Sequence, residues 1–555
     1  NLDQQTIRFI PVPGATPRYR FELSGASYDE AAANLGGPSS TLGDDDSTVV
    51  TTLFPFPYYG RIYTQIFLNS DANLTFGAAD KETSDRTLGR FSAGPPRVAP
   101  LFSDLDPSRN PQGVRILSEA GRLVISWAGV PEYQDFGTGA AQTFQVRLYP
   151  DGRIEFAYSG ISTSGAVVGI SPGDLAPNTL VSFAAGSIEQ YATGIAERFG
   201  GREEIDTVTA AQRFYESHED AYDYLVFYNT LGIGASPGAV AWEADVRNIR
   251  LGIGSPVVDY GRQYGSPSRL QAIMNMGPVA QYPTDPNAVV SARALSRDTP
   301  LSLLGHEAGH LFLAYASVRD PFNPNARPLL GFQGAHWTFT FNSEASLLEG
   351  NRIRDDGPDA SPRFLTTATV EGYAPLDQYL MGFRAPSEVP PTFLVTGAGT
   401  QFSSRIPQSN VSFNGSRQDI SVENIIAAEG RRTPDHTVAQ RRFRFAFVLI
   451  VPAGAAPRQA DVDQVESYRR EFEAYYSRAA SGRATSGTTL RLAMRLSSFP
   501  ASGVLVGGQS TATVSIEKAA VSPLTVLLKT ATGAASVPSS ATIAAGATTA
   551  SFPIT

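Results

Sequence analysis

The stretch HEAGH at residues 306–310 constrains this chain more than any other feature of its sequence. Residues four apart lie on one face of an α-helix, about one turn apart, so two imidazoles placed there can bind one divalent ion. The carboxylate of Glu307 can then take a proton from water that the ion activates. The surrounding residues 301–318 are mostly apolar, which predicts a buried helix. We therefore predict a metal centre with His306 and His310 as ligands and Glu307 as general base; the alternative is a coincidence of two core histidines.

The HEAGH stretch resembles the motif of the zincin metallopeptidases, many of which carry H-E-x-G-H. The resemblance covers the motif and its helix closely and the rest of the surrounding domain loosely. Predicted strands precede the motif helix, which is the order expected of a zincin catalytic domain. The resemblance implies a Zn²⁺ cofactor, a protein or peptide substrate, and hydrolysis of peptide bonds by metal-activated water.

A third metal ligand is expected downstream, because a catalytic zinc usually has three protein ligands and one open position. The metzincin pattern would place a histidine at residue 316, which is alanine here, so that pattern fails. Imidazole chemistry favours His336, which we expect on a strand or its edge. The segment LLEG resembles the part of gluzincin aminopeptidases whose glutamate completes the site, which favours Glu349, on an expected helix, with Glu344 nearby. We predict His336 as the third ligand, with Glu349 as the alternative; the other residue is expected to orient a ligand or, for His336, to stabilise the oxyanion.

Length and composition indicate a multidomain, turn-rich chain. Its 555 residues exceed what one hydrophobic core usually serves, and 51 Gly and 39 Pro suit β structure with many turns. The formal charge of −9 comes without a basic stripe, so we expect no nucleic acid partner. No apolar run is long enough to span a membrane, and the lack of Cys excludes disulfides and thiolate chemistry.

Residues 27–186 contain many short alternating segments, including a hairpin signal at Pro150-Asp151-Gly152, which predicts an all-β sandwich. Four segments resemble nidogen-type (NIDO) extracellular domains: FPFPYYG at 54–60, LNSDANLTF at 68–76, APLFSDLD at 99–106 and TFQVRLYPDGRIEFAY at 143–158. The resemblance implies a secreted adhesive or accessory module, hence an extracellular or cell-surface protein. Within it, Asp104 and Asp106 are expected either to cap a turn or to help bind Ca²⁺.

The remaining segments complete the predicted organisation. Residues 1–26 are expected to form an extended leader; their start, without Met, suits a processed secreted chain, although a cloning boundary would look the same. Residues 187–495 are expected to form an α+β zincin-like domain, beginning with a helical segment near 187–200. Residues 496–555 are poor in charge and resemble a bacterial Ig-like β-sandwich, with more chain expected beyond it. Such strands can pair between molecules, so self-association is expected.

Two functions follow from these patterns. The first is a secreted zinc endopeptidase. The second is a structural or adhesive surface or filament protein whose zincin-like domain is silent or processes only itself. Zinc content together with a peptide digest separates the two.

Overall fold

The computed structural model describes residues 2–38, 42–134, 138–163, 165–201, 203–236, 238–323, 325–402, 405–490, 494–498, 507–516, 519–520, 523–530 and 535–555. The chain is rich in β structure and contains several separate sheets. Among the described helices, none has the length and apolar character needed to cross a membrane.

Two seven-stranded sheets make up the N-terminal part. Their strands are β1 (Gln5–Val12), β2 (Arg18–Gly25), β3 (Gly37–Pro38), β4 (Ser47–Tyr58), β5 (Arg61–Asn69), β6 (Asn73–Thr75), β7 (Arg97–Phe102), β8 (Val114–Glu119), β9 (Arg122–Pro131), β10 (Ala141–Leu148), β11 (Ile154–Gly160), β12 (Gly165–Ser171), β13 (Asn178–Leu180) and β14 (Gly194–Gly200). Two short helices, α1 (Glu30–Leu35) and α2 (Leu88–Ala93), accompany them. The sheet orders are β2-β1-β11-β10-β9-β8-β3 and β13-β14-β12-β7-β6-β5-β4. Because alternate residues of both sheets meet in one buried core, the two sheets form a sandwich.

Two expectations for this part are wrong. Residues 1–26 do not form a separate leader, because β1 and β2 form a hairpin and β1 pairs with β11. The reason is their alternation: Ile7, Phe9 and Phe21 are buried in the sandwich core, as in any other strand of these sheets. The segment after residue 187 is not helical either. It contains β14, which pairs with β12 and extends the second sheet to Gly200.

A five-stranded sheet organises the central part. The strands there are β15 (Tyr224–Asn229), β16 (Trp242–Asp245), β17 (Arg247–Asn248), β18 (Val258–Asp259), β19 (Ala272–Pro278), β20 (Asn351–Asp355), β21 (Phe364–Thr369), β22 (Thr392–Thr396), β23 (Ser412–Phe413), β24 (Ser416–Ile420), β25 (Arg442–Ile450) and β26 (Thr485–Gly487). The helices are α3 (Thr207–Tyr215), α4 (Pro300–His310), α5 (Pro375–Leu380), α6 (Val422–Glu429) and α7 (Gln459–Ala479). The main sheet has the order β16-β19-β15-β25-β26 and is parallel except for the edge strand β16.

Helices cover both faces of this sheet. On one face, α4 and α7 pack against β15, β19 and β25, and this core holds aromatic residues such as Tyr224 and Phe445. On the other face, α3 packs against Leu225, Phe227 and Ile273. Strands between two layers of helices read as nearly continuous apolar runs, as the sequences of β15, β19 and β25 do.

The C-terminal part contains β27 (Arg495–Ser498), β28 (Ser510–Ser515), β29 (Leu524–Leu527), β30 (Ser540–Ile543) and β31 (Thr549–Ile554). They form a three-stranded sheet, β27-β28-β31, and a two-stranded sheet, β29-β30, around a small shared core. Several connecting segments of the predicted Ig-like domain lie outside the described residues.

Candidate metal centre

Helix α4 has a well-defined start, which sets the positions of the motif residues. The Thr299 side chain accepts a hydrogen bond from Ser302 N at 3.1 Å, and Ser302 Oγ accepts one from Thr299 N at 2.8 Å. Pro300 occupies the first turn, where its missing N–H costs nothing. The helix is buried along its whole length, as expected, and it ends at His310, after which the apolar residues turn into the core.

The structure brings three histidines together. The Nε2 atoms of His306 and His310 are 3.0 Å apart, and those of His306 and His336 are 3.2 Å apart. Two nitrogen ligands of a tetrahedral zinc ion, each about 2.0–2.1 Å from the metal, are separated by about 3.3 Å. Within the described residues, these three form the one group of three or more potential ligands whose donor atoms all lie within 4.8 Å. The donor set and its spacing therefore fit a zinc ion.

The hydrogen bonding of His306 fixes the tautomer and the orientation of its ring. Its Nδ1 lies 2.7 Å from the carbonyl oxygen of Leu347. A carbonyl can only accept, so Nδ1 carries the proton and, in the neutral ring, the lone pair of Nε2 faces the other two rings. Burial, followed by the neighbouring charge of His336, lowers the pKa of His306 well below its usual value. Burial and the charge of His306 do the same for the pKa of His310, so both rings are neutral near pH 7, as metal ligands must be.

His336 reaches the centre from a bend and not from a regular strand. It directly precedes Trp337, which forms an isolated bridge with Leu330. The Trp337 backbone N–H donates to Leu348 O at 3.1 Å, and its indole N–H donates to the buried carboxylate of Asp377 at 3.1 Å. These contacts hold the segment that carries His336 and Trp337 against Leu348 and against α5, and they keep the third imidazole beside α4.

Glu349 lies beside the histidines but outside their group. It is buried in a turn with φ of 56°, where a helix was expected, because Ser346–Gly350 close a tight turn through a backbone hydrogen bond of 3.0 Å. Its carboxylate pairs with Arg293, which also pairs with Asp298 at 3.0 Å. Burial by itself raises the pKa of Glu349, but the charges of His336 and Arg293 outweigh burial and hold this pKa below its usual value. Glu349 is therefore placed to influence His336 electrostatically. Glu344 lies farther out and pairs with Arg352 at 3.0 Å.

Glu307 is the acidic residue of α4, and its side chain is buried. Burial raises its pKa to about 8; Arg293 opposes this rise, while Glu349 and Asp298 add to it. A carboxyl group with a raised pKa accepts protons readily, which suits a general base or acid.

Sequence reasoning missed two contributors to this site. Arg293 lies in a segment without a motif, and the contribution of Leu347, which belongs to the LLEG segment, comes from its backbone carbonyl, which no side-chain pattern reveals. A weak signal for Arg293 was its position in SARALSRD, the segment just before the motif helix. His218, whose ring stacks on Phe214 with centroids 4.1 Å apart, is not part of the histidine group found among the described residues.

The candidate calcium ligands of the sandwich have protein partners. Asp106 caps a short 3₁₀ turn by accepting from Ser108 N at 3.0 Å, and it also pairs with Arg109 at 3.1 Å. Asp104 pairs with Arg86 at 3.1 Å. These contacts correspond to the turn-capping alternative for Asp106, while Ca²⁺ binding stays a prediction.

The model of a family described as NIDO related matches residues 18–215, a little over one third of the chain. No solved structure matches the chain. The matched region runs from β2 to the end of α3. The N-terminal part is thus similar to a nidogen-like domain, which is an extracellular type of module.

Proposed function

We propose that this protein is a secreted zinc-dependent endopeptidase with His306, His310 and His336 as the metal ligands. The observation that carries the proposal is the convergence of three buried imidazole nitrogens beside a buried carboxylate, Glu307. If hydrogen bonds alone held the rings together, His310 and His336 would both have to donate to the single Nε2 lone pair of His306. A cation can bind all three nitrogens at once, which is why a metal accounts better for the arrangement.

The chain supplies the proton transfers that peptide hydrolysis needs. When bound, zinc supplies Lewis acidity toward water and toward the scissile carbonyl oxygen. Glu307 is expected to be ionised once a cation lies beside it, because an opposite charge lowers the pKa of a carboxyl group. As a carboxylate it takes one proton from the attacking water and then delivers that proton to the nitrogen of the departing amine.

The neighbouring ion pair has a supporting role in this proposal. Arg293 binds Glu349 and Asp298 and therefore holds positive charge close to both Glu307 and His306. Glu349 in turn places negative charge near His336 and His310, which strengthens their donor character. We assign Glu349 the role of orienting and polarising the ligands.

Zinc analysis combined with a digest of a peptide library tests the proposal. We expect one zinc per chain after dialysis, and the variant Glu307→Gln should keep the metal and the fold but lose about 10²–10⁴-fold in turnover. His218→Ala serves as the control, since that histidine lies outside the cluster; it should keep both zinc and activity. Undiminished turnover by the Glu307→Gln protein, or a chain that binds no zinc, would refute the proposal.

A structural or adhesive surface protein is the second candidate function. The match to a NIDO-related family over residues 18–215 favours it, as does the small β-rich C-terminal part. In this case the chain would bind zinc without cleaving the library or would cut only itself. Electron micrographs of the purified protein would then show polymers.

A further inference from the structure

A cavity of about 510 Å³ lies beside α5, the C-terminal end of α7 and strand β20. Cavities that bind small ligands usually measure about 300–1,000 Å³ and combine apolar walls with a few polar groups. Here Leu376, Pro390 and Pro391 supply apolar wall, while arginine and glutamate side chains supply charge. As far as the structure describes the wall, it includes neither the three histidines of the metal centre nor Glu307. The cavity is therefore large enough for a small ligand and separate from the proposed catalytic residues.

Arg384, which follows α5, lines the cavity and forms no ion pair with any acid among the described residues. Its Nε and Nη2 atoms donate to the side-chain oxygen of Gln378 at 3.1 and 2.9 Å, and its Nη1 donates to the backbone oxygen of Glu388 at 3.2 Å. The Glu388 carboxylate pairs instead with Arg483 at 2.8 Å. Burial and the charge of Arg483 lower the pKa of Arg384, and Glu388 opposes this effect. An arginine has five N–H donors and stays charged at neutral pH, so these three hydrogen bonds leave two donors of Arg384 unused.

Arg478, in the last turn of α7, is a second cation of the wall. Its side chain is exposed, and its guanidinium lies 5.9 Å from the ring centroid of Tyr475; within the part of the chain that the structure describes, it forms no ion pair and no side-chain hydrogen bond. The backbone N–H of Ser481 donates to Arg478 O at 2.9 Å. The side chain of Gln378, which accepts from Arg384, donates to Ser481 Oγ at 3.0 Å. Hydrogen bonds thus connect the two segments that carry the free guanidinium groups.

The acids of the wall have donors of their own. Glu344 and Glu371 both pair with Arg352, at 3.0 and 2.7 Å. Asp377 is buried; its Oδ1 accepts from the Trp337 indole at 3.1 Å and its Oδ2 from a backbone N–H at 2.8 Å. Burial raises the pKa of Asp377 to about 7, so it is only partly ionised near neutral pH. The charge in the wall that has no partner within the described structure is therefore that of the two free guanidinium groups.

We propose that this cavity binds a short peptide through a carboxylate that Arg384 and Arg478 receive. A guanidinium group can bind a carboxylate with two parallel hydrogen bonds, and the unused donors of both arginines allow this. The side chains of Glu344 and Glu371 are 43% and 54% exposed, so they can accept from the ammonium or amide groups of the same peptide. A phosphate group fits less well, because it carries about twice the negative charge and these glutamates repel it. The inference goes beyond the proposed peptidase and does not depend on its catalysis.

Equilibrium dialysis with pooled tripeptides tests this binding site. The zinc-loaded full chain carries Glu307→Gln, so that no peptide is cleaved during the measurement. One pool without acidic residues has free C-terminal carboxylates, a second pool has the same sequences as C-terminal amides, and a third pool adds one glutamate to the amides. We expect the protein to retain the free-acid pool about tenfold or more above the second pool. Retention of the third pool at the level of the free acids would support the same site and show that a side-chain carboxylate serves equally well.

Substitution of the two arginines should remove the preference for free acids over amides. We expect Arg478→Gln alone to lower the ratio severalfold, and Arg384→Gln with Arg478→Gln to bring it to about one. Because the Arg478 side chain makes no hydrogen bond in the described structure, its replacement should leave the fold intact. The control is Arg470→Gln, also on α7 but outside the described wall and 68% exposed. It changes the net charge by the same single unit as Arg478→Gln and should keep the ratio.

Three results would overturn the peptide site. The first is equal retention of free acids and amides by the protein with both arginines. The second is a preference that survives in the double arginine variant, since the carboxylate would then bind elsewhere, for example at the metal. The third is displacement of the peptides by an equal concentration of inorganic phosphate, which would assign the cavity to phosphate groups. Each of these results leaves the peptidase proposal standing, and a wild type that cleaves nothing leaves the cavity proposal standing, because the dialysis does not measure catalysis.

Discussion

At the scale of single residues, the histidine centre depends on which groups donate hydrogen bonds and which accept them. The Leu347 carbonyl fixes the proton of His306 on Nδ1, and burial keeps the rings of His306 and His310 neutral by lowering their pKa values. Glu349 places a negative charge near His336, but its carboxylate is engaged with Arg293. A residue that orients a ligand and a residue that is a ligand respond differently to substitution, and this difference can be measured.

We therefore expect His336→Ala and Glu349→Gln to have different effects on zinc binding. Loss of His336 removes one of three ligands, so the protein should lose stoichiometric zinc after dialysis. Glu349→Gln should retain one zinc per chain but bind it about 10–100-fold more weakly, as for other residues that support metal ligands. Competition with a chelator measures both affinities. The reverse outcome, full zinc in His336→Ala and none in Glu349→Gln, would make Glu349 the third ligand.

At the scale of elements, α4 approaches its neighbours unusually closely at its two glycines. A Cβ atom on Gly305 would lie 2.8 Å from Leu347 Cδ1 and 3.1 Å from Tyr475 Cε1, both in a packed region. A Cβ atom on Gly309 would lie 2.8 Å from Leu348 Cδ2. The glycines weaken the helix by about 1 kcal/mol each relative to alanine, but they let the Leu347 carbonyl reach His306.

Gly305→Ala should therefore destabilise the protein although alanine favours helices. Overpacking costs about 1–3 kcal/mol, which outweighs the gain of about 1 kcal/mol in helix propensity. The displaced Leu347 should also weaken zinc binding. Thermal unfolding with and without zinc checks both effects. A matched control is Gly430→Ala, at a glycine with no atom within 4 Å of an added Cβ but with φ of 87°, so it measures backbone strain without crowding. A Gly305→Ala protein with an unchanged or higher melting temperature would contradict the close packing.

The sandwich contains a buried network of ion pairs. This network explains part of the LNSDANLTF segment. The Asp80 carboxylate accepts from Arg97 at 2.6 Å and from Arg90 at 3.0 Å, and Arg97 also donates to Asn73 of the LNSDANLTF segment. Burial by itself raises the pKa of Asp80, but the charges of Arg90 and Arg97 outweigh burial and hold this pKa below its usual value. The acid is therefore charged and paired inside the sandwich at neutral pH.

Asp80→Asn should destabilise the protein by about 3–5 kcal/mol at pH 7, because it leaves two buried arginines with too little negative charge. The folded pKa of Asp80 is lower than the unfolded one, so its contribution is present above about pH 4 and is lost as the pH falls below that value. The difference between variant and wild type should thus shrink in acid. Unfolding measured at pH 7 and pH 3 tests this, with the exposed Asp419→Asn as control. A difference that is the same at both pH values would refute the role of ionised Asp80.

At the scale of the whole molecule, the sandwich and the central part are joined by specific contacts. Asp206 caps α3 by accepting from Thr209 N at 3.0 Å, and it also accepts from Thr87 Oγ1 and Gly89 N of the sandwich, both at 2.9 Å. Glu82 of the sandwich accepts from the Tyr264 hydroxyl. The family match ends where α3 ends, so this helix belongs to the matched region while it packs against the central sheet.

The variant Asp206→Ala should uncouple the unfolding of the sandwich from the unfolding of the central part. Loss of the cap costs about 1–2 kcal/mol, and the cross-contacts to Thr87 and Gly89 are lost with it. Calorimetry of the wild type should show the sandwich and the central part unfolding together, and the variant should show two transitions. Asp29→Ala removes a comparable cap within the sandwich, on α1, and should lower stability without splitting the transition. Two transitions already in the wild type would show that these contacts do not couple the parts.

Local patterns in the sequence were enough to predict several elements and the pair His306 and His310. Their spacing places both rings on one helical face whatever surrounds the helix. The alternating segment at residues 143–158, which forms β10 and β11, is an equally local signal. The strands β1, β2 and β14 were assigned incorrectly, because short segments with ordinary composition become strands only when a neighbouring strand is available to pair.

Only the tertiary structure decided which residues meet at the centre. His336 and Glu349 were both credible ligands by chemistry, and the packing of their segments against α4 brought His336 to the other two rings and Glu349 to Arg293. Spacing along a helix or strand determines contacts over a few residues, whereas contacts between distant segments depend on how sheets and helices pack, which no local pattern encodes.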